Sequence, residues 1–311
     1  MVRNNWAARV TLILIAVLML VCGVLILSNS KLFWTGTVLP EHDNSTGYSS
    51  NAKNIIITGI LNEDGAALAE MITLVSFSDV HHVGAMYIPG ITYVGEDLVR
   101  YGRISGAFNW GMTSEESFGI TAVADCINNS LCVPVDKYLT FDMGILPQVT
   151  EILGGVNFSI ENDLAFEDRV LETGELEFGS KEVLRYILSD SRQNVASVNY
   201  LRSCYFEALF RKICAMDSSE LMLLIWKCRK SIDTDLTIKE LFSLSEYINN
   251  DTDNALEWFL IPGEICTSFG QEKLTVWSVD RISAVEKINS TIKMNSDKVL
   301  VEDLLIPELT A

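Results

Sequence analysis

Three short runs of β-branched and apolar residues constrain the fold of this chain most. They cover residues 55–58, 72–77 and 83–88, and each has the length and composition of a buried strand. Segments with the spacing of amphipathic helices follow, at residues 115–128, 145–153, 181–189 and 198–216. Strands that alternate with helices in this way favour an α/β (or α+β) class, with a central mixed sheet flanked by helices on both faces.

An apolar segment precedes these runs. Residues 10–27 contain no charged side chain over eighteen positions, which at helical rise spans a hydrocarbon core of roughly 30 Å. We therefore expect an uncleaved transmembrane helix; the alternative is a signal peptide, whose apolar core is shorter, at about 7–15 residues. Because Arg3 and Arg9 precede the segment, the positive-inside rule places residues 1–9 in the cytoplasm and the main domain outside the cell. The sequence thus predicts a single-pass protein of the cell membrane.

The rest of the chain divides into three parts. Residues 28–52 are rich in Ser, Asn, Gly and Thr and predict a linker, residues 53–292 are long enough for one large domain, and residues 293–311 form a C-terminal tail. The net charge of −18 argues against a nucleic-acid partner. Six cysteines follow the apolar segment, so disulfides are permitted, and Cys126 with Cys132 can close a short loop.

Several segments, taken in chain order, resemble the LytR-CpsA-Psr (LCP) family of cell-envelope proteins. The most regular stretch combines Val-Pro-Val-Asp-Lys-Tyr at 133–138, Phe-Asp at 141–142 and Glu-Ile-Leu-Gly-Gly-Val at 151–156. Further similar segments lie at residues 103–111, 179–186, 233–237, 260–263 and 277–280. This chain is accordingly identified as a divergent member of that family.

The resemblance implies a function and its chemistry. LCP proteins are membrane-anchored transferases that move a glycopolymer from a polyprenyl-pyrophosphate carrier to peptidoglycan or a related acceptor, with magnesium. Such a site needs arginines on the pyrophosphate, carboxylates on the metal ion and an apolar tunnel for the isoprenoid tail. The implied partners are a polyprenyl-linked lipid or glycopolymer and the membrane, and the implied cofactor is Mg²⁺.

Most charged residues of the family's site are missing here. The family's Ile-Pro-Arg-Asp loop is Ile-Pro-Gly-Ile at residues 88–91, and its Tyr-Val-Arg-Ser-Arg segment is Tyr-Ile-Leu-Ser-Asp at residues 186–190. Arg202 matches one of a later pair of arginines and is the candidate catalytic and substrate-binding residue. Arg192 lies in the preceding loop and is a second candidate for substrate binding.

The candidate metal ligands are Glu70 and Asp64. Glu70 stands where the family has an aspartate before its second strand, and Asp64 follows the first predicted strand. Each has a simpler interpretation, since Glu70 can be a solvated carboxylate at a strand edge and Asp64 a turn residue. Likewise, the simpler interpretation of Arg202 is an ion pair with Glu207 or Asp190.

Six aromatic residues can line a lipid tunnel or belong to the core. They are Phe108, Trp110, Phe141, Trp226, Trp258 and Phe259.

Three classes of function follow from these observations. The first is a magnesium-dependent transferase with reduced activity, because each lost charge-assisted hydrogen bond forfeits about 1.5–3 kcal/mol. The second is an inactive protein that binds an isoprenoid lipid or acts as a scaffold for an active paralogue in cell-wall assembly or regulation, and the missing arginines favour it. The third, a transcriptional attenuator, is opposed by the predicted topology, because about nine cytoplasmic residues cannot form a DNA-binding domain.

Overall fold

A computed structural model describes most of the chain beyond the predicted linker. The described residues are 53–63, 65–78, 82–96, 102–113, 119–166, 169–189, 195–242, 256–269, 274–293 and 297–307. The predicted transmembrane helix at residues 10–27 and the predicted linker at residues 28–52 lie outside these ranges. Within the described ranges, no helix is both long and apolar enough to cross a membrane.

Most of the strands described in the structure form one mixed sheet. In chain order the strands are β1 Lys53–Glu63, β2 Ala66–Ser78, β3 His82–Pro89, β4 Lys137–Asp142, β5 Val156–Ile160, β6 Leu164–Ala165, β7 Val170–Leu171, β8 Gly174–Phe178, β9 Ile232–Thr234, β10 Leu256–Leu260, β11 Gly263–Phe269 and β12 Leu274–Val279. The large sheet has six strands in the order β10-β3-β2-β1-β4-β9. The pairs β1–β4 and β3–β10 are parallel and the others antiparallel. The three predicted strands are confirmed as β1, β2 and β3.

Helices connect and cover these strands. The α-helices are α1 Ser105–Thr113, α2 Gly119–Leu131, α3 Leu146–Ile152, α4 Ser180–Glu182, α5 Val195–Cys214, α6 Ser218–Cys228 and α7 Arg281–Lys287, and residues 238–242 are also helical. Shorter 3₁₀ or π turns lie at Met143–Ile145, Val183–Ile187, Ile288–Ile292 and Val301–Asp303.

Two of the predicted helices differ in detail from those in the structure. The helix predicted at residues 181–189 is the short turn α4 continued by a π turn to Ile187, and the helix predicted at residues 115–128 is α2, described from Gly119 to Leu131. The predicted stop after residue 153 is confirmed, because Gly154 and Gly155 have φ values of 68° and 92°, which glycine adopts without strain.

The sheet has a hydrophobic core on each face. Along β2, Ile72 and Leu74 belong to the core under α1, α2 and α7, whereas Met71 belongs to the core under α3, α5 and α6. This division follows from the alternation of side chains along a strand. The prediction of a central mixed sheet with helices on both faces is therefore confirmed.

Part of the predicted C-terminal tail packs against the domain. Val299, Leu304 and Ile306 are buried in the core under α1, α2 and α7. The side-chain amide of Asn289 donates to the carbonyl of Val299 and accepts from its backbone N–H, both at 2.8 Å. These contacts fix residues 297–307 to the sheet domain.

The six cysteines that the structure describes are thiols. Cys126 and Cys132, which the sequence permits to form a disulfide, are both buried and are not bonded to each other. The Cys132 Sγ–H instead donates to the carbonyl oxygen of Asp303, at 3.1 Å.

Candidate functional site

Glu70 lies at an irregularity of β2. The register pairs Gly59 with Met71 and then Ile60 with Ala69, so Glu70 is an extra residue opposite β1. A bulge of this kind breaks the alternation of side chains and redirects the extra one. Here the carboxylate of Glu70 reaches helix α5, which packs on the same face as Met71.

Arg202 of helix α5 is the partner of Glu70. Its Nη1 donates to Glu70 Oε2 at 3.0 Å, and the two side chains are 0% and 8% exposed. Two further N–H groups also bind the protein: Nε donates to the carbonyl oxygen of Ile187 at 2.9 Å and Nη2 to that of Ser189 at 3.3 Å. The structure thus brings two predicted site residues together as a buried ion pair.

This geometry decides between the simpler interpretations of these residues. Glu70 is buried rather than a solvated edge carboxylate. Glu207, one expected partner of Arg202, pairs instead with Arg211 one helical turn away, at 2.9 Å. Asp190, the other expected partner, and the candidates Arg192 and Asp64 lie outside the described residues.

Two residues that sequence reasoning missed lie within electrostatic range of this pair. Tyr87 is fully buried, and burial raises the pKa of its phenol well above the usual range, an effect that the charge of Arg202 opposes and that of Glu70 reinforces. Burial lowers the pKa of Arg103, and the charge of Glu70 opposes that shift. The signal for Arg103 was its place at the head of the segment 103–111, where the family has a lysine.

The loop after β3 has no room for the arginine that the family places there. A Cβ atom added to Gly90 would lie 2.8 Å from the carbonyl oxygen of Ala69 and 3.0 Å from the Cα of Glu70. Both neighbours are backbone atoms of the bulge, which cannot rotate away as a side chain can. Any larger residue at position 90 therefore requires the loop or the bulge to shift.

No magnesium site is assembled among the described residues alone. Glu70 is the one predicted metal ligand within the described ranges, and its Oε2 already accepts a hydrogen bond from Arg202. No group of three or more His, Cys, Asp or Glu side chains with metal-binding geometry occurs among the residues that the structure describes. Magnesium is bound by one or two carboxylates together with water and phosphate oxygens, so Glu70 can supply at most one of its ligands, beside the Arg202 guanidinium.

An apolar cavity lies between the sheet and helices α5 and α6. Its volume is about 200 Å³. Its first α5 residue is Phe206, one helical turn beyond Arg202, and neither Arg202 nor Glu70 lines the cavity. The lining side chains are all apolar or thiols: Ile55, Ile57, Val75, Phe77, Leu139, Phe141, Ile145, Leu146, Val149, Phe206, Leu209, Phe210, Ile213, Cys214, Leu221, Leu224, Ile225, Cys228, Ile232, Leu236 and Leu241.

The two thiols in this lining are uncharged at neutral pH. Burial raises the pKa of Cys214 to about 12 and also raises the pKa of Cys228. Among the aromatic residues predicted to line a tunnel or the core, Phe141 lines the cavity and Phe259 is in the opposite core, while Trp110 and Trp226 are about half exposed. The cavity therefore offers contacts for hydrocarbon and no charged group.

Several solved structures have a similar fold. B. subtilis TagV superimposes with a TM-score of 0.60 and 18% identity, over 79% of this chain and 97% of TagV. The structure of TagT bound to LIIa-WTA superimposes with a TM-score of 0.56 and 16% identity, over 82% of this chain and 94% of TagT. The LytR-Csp2A-Psr enzyme from Actinomyces oris superimposes with a TM-score of 0.57 and 13% identity, over 81% of this chain and 96% of that enzyme.

The fold is therefore of the kind seen in a LytR-Csp2A-Psr enzyme and in the Tag proteins. The family model of the LytR_cpsA_psr family matches residues 46–293 of the sequence. The chain belongs to the LytR-CpsA-Psr family, as the order of its sequence segments predicted. Comparison with curated proteins gives no significant match.

Proposed function

We propose that this chain is a membrane-anchored cell-envelope protein that binds a polyprenyl-type lipid and has reduced or lost glycopolymer transfer. The observation that carries this proposal is the state of Arg202. The retained arginine is fully buried and is bound to Glu70 and two carbonyl groups. Its charge is neutralised within the protein before any ligand arrives.

Transfer from a pyrophosphate carrier requires positive charge on the phosphate oxygens. Enzymes supply it from donors that already point at the developing charge. For Arg202 to do this, it must leave Glu70, and the cost of separating a buried ion pair is about 3–5 kcal/mol. A barrier raised by that amount slows a reaction by two to four powers of ten, at about 1.4 kcal/mol each.

The cavity supports the lipid part of the proposal. An engineered apolar cavity of about 150 Å³ accepts benzene, so a cavity of about 200 Å³ accommodates a short segment of an apolar chain. The remainder of a polyprenyl tail must extend beyond it. TagT, whose fold is similar, has been solved bound to LIIa-WTA, which supports a ligand of that general class.

The proposed location rests on the sequence. The uncharged residues 10–27 support a single membrane-spanning helix, with the domain outside the cell. Any residual transferase activity would require Mg²⁺, for which Glu70, already paired with Arg202, is the one predicted ligand among the described residues. Binding of the lipid, alone or for an active paralogue, is therefore the function that the geometry favours.

Lipid binding is tested by filling the cavity. Cys228 lines the cavity and is 2% exposed, so a Cys228→Phe side chain occupies part of the space that the lipid needs. Native mass spectrometry of the full chain in detergent, with polyprenyl phosphate, measures binding. We expect at least tenfold weaker binding, equivalent to about 1.4 kcal/mol.

The matched control is Cys266→Phe. Cys266 lies on β11, is half-buried and does not line the cavity, so this variant should bind lipid as the unmodified chain does. Equal binding by the unmodified chain and both variants would refute the proposed lipid site, as would an absence of binding to all three.

A further inference from the structure

Helix α6 has an outer face that differs from the rest of this acidic protein. Leu223 and Trp226 are 52% and 51% exposed, and Lys227 and Lys230 are also exposed. Positions 223, 226 and 227 share one side of the helix, because residues three and four apart are neighbours, and Arg229 and Lys230 follow directly after its last residue, Cys228. We define the α6 outer face as Leu223, Trp226, Lys227, Arg229 and Lys230.

Trp226 and Arg229 form one unit on this face. The Arg229 guanidinium lies 4.0 Å from the centre of the indole ring, and its Nη1 donates to the Trp226 carbonyl oxygen at 2.6 Å. A cation stacked on an exposed indole keeps its charge while the ring keeps its apolar surface. The pair therefore offers hydrocarbon contact and positive charge at the same place.

The charge of this segment is opposite to that of the chain. The protein carries a net charge of −18, yet residues 221–232 contain three bases and no acid. The acids of the helix are Asp217 at its N-cap and Glu220 in its first turn, at the end away from Lys227 and Lys230. The α6 outer face is thus richer in positive charge than the chain as a whole.

We infer that the α6 outer face docks on an anionic lipid surface. Helices that lie in the interface of a bilayer combine Trp and Leu with Lys and Arg in this way, because the rings enter the headgroup boundary and the bases contact anionic headgroups. A lipid surface satisfies both halves of the pattern at once, whereas an acidic protein surface supplies only the charge.

The position of the cavity gives this surface a role. Leu221, Leu224, Ile225 and Cys228 of the same helix line the apolar cavity, so α6 is the wall between the cavity and its own outer face. Docking of that face places the cavity at the bilayer surface, where the part of a lipid tail that exceeds the cavity remains in hydrocarbon. This inference rests on the proposed function in one respect, namely that the anchor holds the domain near the membrane.

The test uses the full chain in lipid nanodiscs. One preparation contains only zwitterionic phospholipid, and the other an equal mixture of zwitterionic and anionic phospholipid. Hydrogen–deuterium exchange of peptides from residues 218–231, read by mass spectrometry, reports whether α6 is covered. We expect slower exchange in the mixed nanodiscs.

Charge reversal separates local docking from general attraction. Each base near an anionic surface favours binding about fivefold, so Lys227→Glu/Lys230→Glu should weaken docking about thirtyfold or more. The control Lys181→Glu/Lys298→Glu makes the same change in net charge at two other exposed positions, and it should leave the slower exchange intact.

An apolar pair of variants tests the other half of the pattern. Trp226→Ser should restore fast exchange of α6, whereas Ile282→Ser, at a residue of α7 that is 63% exposed, should not. Equal exchange in both kinds of nanodisc, or equal effects of the two charge-reversal pairs, would overturn the inference.

Failure of the anchor is distinguishable from failure of docking. A chain that enters nanodiscs but leaves α6 unprotected refutes only the docking surface. A chain that does not enter them refutes the anchor, and the same exchange measurement with vesicles of the two compositions then decides whether α6 docks without it.

Discussion

The buried pair of Glu70 and Arg202 predicts a strong energetic coupling. Arg202→Met leaves the Glu70 carboxylate buried beside an apolar side chain, and removing one partner of such a pair costs about 3–5 kcal/mol of stability. Glu70→Met leaves the guanidinium, which is 0% exposed, in the same situation. Each single variant should therefore lower the free energy of unfolding by about that amount.

The double variant Glu70→Met/Arg202→Met should lower the free energy of unfolding much less than the sum of the two single variants. Replacing both partners removes both buried charges, and the remaining loss comes from the carbonyls of Ile187 and Ser189, which Arg202 no longer satisfies. We expect a cost of about 1–3 kcal/mol for the double variant. The coupling energy of the cycle is then about 3 kcal/mol or more.

Urea unfolding of the full chain in detergent, followed by tryptophan fluorescence, measures all four free energies. The exposed pair Lys287–Glu257 serves as the control, because its atoms are 3.4 Å apart but its side chains are 49% and 42% exposed. That pair should couple by less than about 1 kcal/mol. A Glu70–Arg202 coupling no larger than the control would refute the reasoning and leave Arg202 available to bind phosphate.

Two further variants test other contacts. Burial alone would raise the pKa of Glu240, but hydrogen bonds from Lys53 and Thr237 bring it down to about 2, below the unfolded value of about 4.3. The resulting stability is present above the unfolded pKa and is lost as pH falls through the folded pKa. Glu240→Gln should therefore lower the free energy of unfolding by about 1 kcal/mol at pH 7 and flatten the pH dependence of that free energy between about pH 5 and 2. Identical urea titrations of the variant and the unmodified chain across this pH range would contradict the prediction. Gly90→Arg should destabilise by about 1–3 kcal/mol, because its Cβ meets backbone atoms, and it should not create transferase activity; an active variant would show that the bulge yields.

The segments that identified the family are largely structural, which explains why the fold was predictable. Asp136 accepts a hydrogen bond from the N–H of Asn54 at 2.7 Å, and Asp235 accepts from that of Tyr138 at 2.9 Å. Gly154 and its neighbour end a helix. These contacts depend on local backbone geometry, so the residue types that make them can be recognised from the sequence.

The site was only partly predictable, for physical reasons. Glu70 and Arg202 were both predicted as site residues, but their contact joins residues 132 positions apart. It also depends on a β-bulge that the local sequence pattern does not predict. Spacing along α5 favoured Glu207 as the partner instead. The cavity arises because side chains from several strands and helices leave a common space unfilled. The amino-acid sequence alone does not predict such a gap in packing.

The most direct test of the account follows the carrier lipid itself. The full chain in detergent is incubated with a polyprenyl-pyrophosphate-linked glycopolymer, peptidoglycan and Mg²⁺, beside an active LCP transferase, and mass spectrometry measures the lipid. The account predicts that the lipid binds and stays intact while the active enzyme converts it to the monophosphate. Conversion by this chain that disappears in Arg202→Ala and in Glu70→Ala would contradict it and show that the buried pair is a working catalytic site.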